Sequence, residues 1–251
     1  SRQAWTPYVR YGDVIIGISS MVWACFLWSL IRCRRRIVLQ QINAAADELA
    51  LLAMDPVPLQ RPLVLVPGYA SSTEAMHVLN EHLARCFTQS SCTIVALDLR
   101  HDLPLQDLIS QAQAQLPAQC CDFIGHSLGG LVATAMARPS DNTPWVFALA
   151  APFGGTCLAR AAIVLGYPYP KILNDLVRDH AELARIRGRA AEQTGFRGLR
   201  LAGDPVSSGL PARLQRAFLA PALLGPRRRH QAIHTDPRAI VEIVRALRRR
   251  P

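Results

Sequence analysis

The chain carries, in one order, the side chains that acyl transfer needs. Ser127 lies inside Gly125-His126-Ser127-Leu128-Gly129-Gly130, Asp204 follows Ala202-Gly203, and His230 and His234 come late. A serine hydroxyl is a weak nucleophile at its own pKa. It becomes a strong one when an imidazole takes its proton and a carboxylate fixes the tautomer of that imidazole. The chemistry this set predicts is attack of Ser127 on an acyl carbonyl, followed by release of the acyl group from a covalent intermediate. A glycine-flanked serine also arises by chance in loops, so its weight depends on the elements around it.

Those elements are legible as alternating strands and helices. Pro62 to Val66 is a short β-branched run that breaks at Pro67-Gly68, and Glu74 to Phe87 then has helical spacing. The unit repeats with a strand at Thr93 to Leu97 and a helix over Leu105 to Leu116. Repeated β-α units predict a mostly parallel sheet with helices on both faces. A third strand, Asp122 to Ile124, runs into the serine segment, and Leu131 to Ala137 continues as a helix. This places Ser127 on a strained strand-to-helix turn that projects its hydroxyl, with Leu128 offering a backbone N–H at the helix N-terminus.

A fourth strand, Trp145 to Leu149, leads into Ala151-Pro152-Phe153-Gly154-Gly155-Thr156, and a fifth, Leu199 to Leu201, ends just before Asp204. An acid past a late strand end is where a triad needs one, although an Asp-Pro pair also makes a simple turn. Asp122 begins a strand, and Asp98, Asp102 and Asp107 precede the serine, so they are worse placed. Of the histidines, His126 adjoins the serine too closely to act as its base, and His180 reads as a surface residue on a helical stretch. His230 and His234 remain, ahead of a helix that Pro237 opens and that runs toward Leu247.

Val64-Leu65-Val66-Pro67-Gly68-Tyr69, the Gly125 to Gly130 segment, the Ala151 to Thr156 turn, Asp204 and His230 together resemble the bacterial lipase/esterase branch of the α/β-hydrolase fold, over about residues 61 to 247. The resemblance implies an α/β-hydrolase fold and a triad of Ser127, Asp204 and His230. It selects His230 over His234 because the family's histidine often stands seven residues before the proline of the last helix. It also implies an oxyanion hole from the backbone N–H groups of Tyr69 and Leu128. Two departures stand out. Pro67 replaces the family's usual histidine, and the segment after Asp204 lacks the usual downstream proline. No metal or organic cofactor enters this scheme.

With 251 residues, half of them apolar, the chain can bury one sizeable core. The net charge of +10 is almost wholly arginine, because Lys171 is the only lysine among 28 basic residues. No nucleic-acid-binding pattern accompanies it, so the charge reads as a solvated basic surface with some attraction to membranes. The seven cysteines show no zinc-like spacing, and only Cys86 and Cys92 are close enough in sequence to invite a local disulfide.

Val14 to Ile31 is an almost continuous apolar run of 18 residues without charge, followed at once by Arg32, Arg34, Arg35 and Arg36. Roughly 20 apolar residues span a bilayer core as a helix, and Tyr8, Tyr11, Trp23 and Trp28 suit its interfaces. The expected organisation is a membrane anchor with a basic flank over 1–36, a helical connector over 37–60 ended by Pro56 and Pro58, and a catalytic domain over 61–251. The arginines lean toward a cytoplasmic catalytic domain. A signal-peptide core and a buried helix are the competing readings of the apolar run.

Residues 157–193 stand where this fold places a cap. Leu158 to Leu165 and the later apolar Ile172, Leu173, Leu176, Leu183 and Ile186 either roof an acyl pocket or pack as an ordinary layer helix. The expected substrate is a lipid-like acyl ester, with Arg227, Arg228 and Arg229 beside His230 suited either to an anionic headgroup or to plain solvation. The expected function is a carboxylesterase or lipase. An acyltransferase or thioesterase with the same triad, and a binding scaffold without chemistry, are the alternatives; oligomeric state is not legible.

Overall fold

The computed structural model describes residues 6–69, 73–88, 92–95, 97, 103–137, 144–166, 170–178, 180–204, 206–207, 209–220 and 225–249. Residues 1–5, Ala96, Asp98 and Asp102, named above, lie outside this set.

The chain begins with one continuous helix, α1 (Thr6–Met54). It continues β1 (Val57–Pro58), β2 (Leu63–Val66), α2 (Thr73–Cys86), β3 (Phe87–Thr88), β4 (Cys92–Ile94), α3 (Leu105–Gln113), β5 (Asp122–His126), α4 (Leu128–Met136) and β6 (Val146–Leu149). Then follow α5 (Cys157–Val164), α6 (Pro170–Asp175), α7 (Ala181–Glu192), β7 (Phe196–Leu201), β8 (Gln215–Phe218), α8 (Pro226–Gln231) and α9 (Pro237–Arg248). Among the described residues, six strands form one sheet in the order β4-β2-β5-β6-β7-β8, every pair parallel. β1 and β3 make a separate short parallel pair.

A parallel sheet buried on both faces needs largely apolar strands: β2 and β6 are apolar and buried throughout, and β5, buried at every position, has polar side chains only at its two ends, Asp122 and His126. Because side chains alternate, Val64 and Val66 join one core with α3, α4, α6 and α7, while Leu63 and Leu65 join the other with α2, α9 and the end of α1. This is the α/β-hydrolase fold, with helices on both faces and a long apolar helix ahead of it.

The apolar run, the arginines and the connector lie on one continuous helix, since arginine favours helix, and that helix stops at Met54 just before Pro56. Other readings need correction. β8 went unread. It is an edge strand, and the exposed Arg216 and Ala217 blur the apolar pattern. His180 does not sit on a helix face; it caps α7, its Nδ1 accepting from the Glu182 N–H at 3.4 Å. Cys86 and Cys92 are free thiols.

α1 docks on the domain only in its second half. Every residue from Ser19 to Ile37 is exposed, and Val38 is fully buried. From there α1 lies alongside α9. Arg238 Nη1 approaches Gln41 Oε1 at 3.4 Å, Arg245 pairs with Glu48 at 2.5 Å, and Arg248 Nη2 donates to the Leu52 carbonyl at 2.8 Å. The sequence offset is nearly constant, 197 residues at the first pair and 196 at the last, so the two helices run side by side in the same direction. Arg238 also donates to the Leu219 carbonyl just past β8, which fixes the upper tie at the C-terminal ends of the strands.

Candidate active site

Ser127 is the residue between β5 and α4, and its backbone is in an unusual region, φ 53 and ψ −121. A side chain at positive φ costs of order 1–3 kcal/mol and persists only where its surroundings hold it. Here the Ser127 N–H donates to the Leu149 carbonyl at 2.8 Å, and the Gly130 N–H donates to the Ser127 carbonyl at 2.9 Å. The flanking glycines are there because backbones cross in contact. A Cβ on Gly125 would meet the Gly129 carbonyl, and one on Gly129 would meet the Val66 and Pro67 carbonyls at the end of the neighbouring strand. Helix α4 can start directly on top of β5 and β2 only because both positions lack side chains.

Asp204 follows β7 and is buried; its Oδ1 accepts from the Val206 N–H at 2.9 Å, which aims Oδ2 at His230 Nδ1, 3.0 Å away. His230 lies in the short helix α8, and its Nε2 stands 2.8 Å from Ser127 Oγ. With Nδ1–H donating to the carboxylate, the Nε2 lone pair faces the serine hydroxyl. The sequence-selected Ser127, Asp204 and His230 are thus brought together from three separate elements. His234 is not among them. Its ring lies 5.3 Å from that of His126, centroid to centroid, and its buried Nδ1 has no hydrogen-bond partner among the described residues. Asp122 is buried at the opposite end of β5, where Oδ1 accepts from the Trp145 N–H at 2.8 Å.

One residue that sequence reasoning passed over belongs to the site. His126 is buried, and its Nε2–H donates to the His230 carbonyl at 3.0 Å, linking the serine strand to the helix that carries the imidazole. Burial first, and the nearby His230 second, push the His126 pKa down to about 3, so the ring is neutral. Nothing in the sequence signalled this bond, because the partners are 104 residues apart.

A mainly apolar pocket of about 260 Å³ opens over Ser127 and His230. Tyr69 and Leu128, the expected oxyanion donors, line it together with Leu158, Ala159 and Ala162 of α5 and Leu173 of α6. Leu128 is the first residue of α4, where a helix has no internal acceptor for its N–H. The 157–193 segment divides: α5 and α6 border the pocket, whereas α7 packs on α4 as a layer helix. Among the described residues, no group of three His, Cys, Asp or Glu side chains is placed to hold a metal ion.

A parallel sheet with a serine on the turn after a central strand, and an acid and a histidine after later ones, defines the α/β hydrolase class. The profile of the Alpha/beta hydrolase family matches residues 63–250, and the chain belongs to that family. No curated protein sequence is significantly similar to it. Among solved structures, a lipase-esterase related protein from Clostridium acetobutylicum is similar with 10% identity and a TM-score of 0.50, covering 76% of this chain and 97% of that one. A protein from Listeria innocua shares 16% identity over 76% of this chain and 95% of its own, with a TM-score of 0.48. The RedJ thioesterase of Streptomyces coelicolor shares 14% over 77% and 94%, with a TM-score of 0.44. The likeness to the Clostridium protein is one of fold.

Proposed function

We propose that the protein is a serine ester hydrolase of the carboxylesterase or lipase type, held to a membrane by α1. The observation that carries the reading is the hydrogen-bonded series Asp204 Oδ2, His230 and Ser127 Oγ, at 3.0 and 2.8 Å, at the head of an apolar pocket. In this reading His230 Nε2 takes the proton as Ser127 Oγ attacks the acyl carbonyl, and Asp204 stabilises the imidazolium that forms. The Tyr69 and Leu128 N–H groups receive the oxyanion. His230 then returns its proton to the leaving alcohol, and water, activated by the same imidazole, releases the acid from the Ser127 ester. The apolar lining favours an acyl chain as the group that enters.

The anchor rests on α1. From Ser19 to Ile37 it presents Met21, Trp23, Phe26, Trp28 and Ile31 as exposed side chains. A helix apolar on all sides needs an apolar environment. Among the described residues, α1 is the one helix long and apolar enough to cross a membrane.

The test is hydrolysis of p-nitrophenyl esters of increasing acyl length by the full chain in detergent micelles, beside Ser127→Ala and His230→Ala. Both substitutions are expected to lower turnover by about 10³-fold or more. A fluorophosphonate should label wild type and not Ser127→Ala. Labelling without ester turnover would redirect the reading to an acyl acceptor other than water, and absence of both would end it.

A further inference from the structure

The direction of α1 decides what the pocket faces. Its lower tie, Leu52 with Arg248, lies near Asp55, where the chain turns toward the start of the sheet. Its upper tie, Gln41 with Arg238, lies beside Phe218 and Leu219 at the C-terminal ends of the strands. Followed upstream from Gln41, the helix therefore leaves the domain on the side where Ser127, Asp204 and His230 stand. At 1.5 Å per residue, the arginine cluster begins about 8 Å above Gln41 and the apolar run about 15 Å above it.

Helix α5 rises from the same end of the sheet and forms one wall of the pocket. Its inner residue Ala159 is buried, but its C-terminal end is not: Val164 is 80% and Leu165 84% exposed, among the most exposed large apolar side chains described. Two exposed aliphatic side chains at the end of the helix that walls the pocket, on a domain that an apolar helix leaves from the active-site side, share one natural cover. That cover is the surface of the bilayer around α1, and the exposed Arg32, Arg34, Arg35 and Arg36 supply the positive belt that sits among anionic headgroups.

We propose that the mouth of the Ser127 pocket lies against the bilayer that holds α1, with Val164 and Leu165 seated in its interface, so that the acyl ester enters directly from the membrane. This deepens the anchored ester-hydrolase reading and rests on it. The substrate class is a membrane-resident lipid ester, reached without passage through water.

The full chain is reconstituted in phosphatidylcholine vesicles containing phosphatidylglycerol and a fluorogenic long-chain phospholipid ester, and p-nitrophenyl butyrate is assayed in the same samples. Two variants are compared with wild type. The double substitution Val164→Glu, Leu165→Glu puts charges where the interface should be. Insertion of four alanine-rich helical turns after Arg36 lifts the pocket by about 20 Å. Each is expected to lower the bilayer-ester rate by about tenfold or more while leaving the butyrate rate within about twofold of wild type. Wild-type bilayer rates in both variants would overturn the proposal, as would butyrate turnover by wild type without any bilayer turnover; in either case the hydrolase reading stands. Turnover of neither ester by wild type would overturn both.

Discussion

The His126 Nε2–H donates to the main-chain carbonyl of His230 across 3.0 Å, so the strand that delivers the serine also holds the backbone of the residue that would deprotonate it. The distance between Ser127 Oγ and His230 Nε2 is thereby set from both sides, by Asp204 through the ring and by His126 through the backbone.

Removing this brace is expected to act on kcat rather than KM, since misplacing a base by an ångström can cost about 100-fold in rate. His126→Phe should lower kcat on p-nitrophenyl butyrate by about 10- to 100-fold with KM little changed. His126→Gln, whose amide can donate from nearly the same place, should recover much of the loss. Equal damage from both variants would reduce His126 to a packing residue.

Acid should destabilise the fold through the same ring. Burial and then His230 hold the His126 pKa near 3, against an ordinary 6.5, and the same two causes, in that order, lower His234. Between those values the unfolded chain binds more protons than the folded one. Stability is therefore highest above about pH 6.5 and falls as pH drops toward 3, by about 1.4 kcal/mol per unit for His126 once well inside the window. Urea unfolding at about pH 7.5 and about pH 4.5 checks the sign, and the pH dependence should be shallower in His126→Gln. Parallel curves for the two proteins would contradict it.

Gly129 should tolerate no side chain, because a Cβ there runs into the carbonyls of Val66, at the end of β2, and of Pro67 just after it. Gly129→Ala is expected to cost on the order of 3 kcal/mol or prevent folding, and any soluble protein should lose fluorophosphonate labelling as α4 shifts off the strand. Gly188 on α7, where an added Cβ would meet nothing, is the control, and Gly188→Ala should be neutral or stabilising.

The pocket wall should set acyl length. Ala162 lines the cavity from α5 and is partly exposed, so a larger side chain can enter without disturbing the core. Ala162→Phe fills a substantial part of a space of about 260 Å³ and should move the preferred p-nitrophenyl ester toward shorter chains with butyrate turnover retained. An unchanged chain-length profile would place the acyl group elsewhere.

What could be read in advance follows from how local each signal is. The apolar runs of β2, β5 and β6, the glycines around Ser127 and the Pro237 helix start carry their meaning within a few residues. Their elements appeared within a few positions of expectation. β8 was invisible because Gln215, Arg216 and Ala217 owe their extended form to pairing with β7, a long-range partner. His180 looked helical because the residues after it are, although its own backbone is extended and its ring serves as the cap. His126 was set aside as a neighbour of the serine, and only the fold brings the carbonyl it binds within reach. The change from exposed to buried at Val38 is likewise set by the folded domain, not by any break in the α1 sequence.

That unbroken α1 has a mechanical meaning. An enzyme anchored through a pliable strand would sweep a volume of solution; here the segment from the apolar run to the domain is one helix, and Leu49, Leu52 and Ala53 of its lower half pack, partly buried, against the core. Under the proposed anchoring the domain would stand on its helix like a signpost on a mast, free to spin about that axis but unable to reach outward, so that its working area would be a ring of lipid no wider than the domain itself. Encounter with substrate would then depend on two-dimensional traffic through that ring, and turnover would follow how fluid the membrane is.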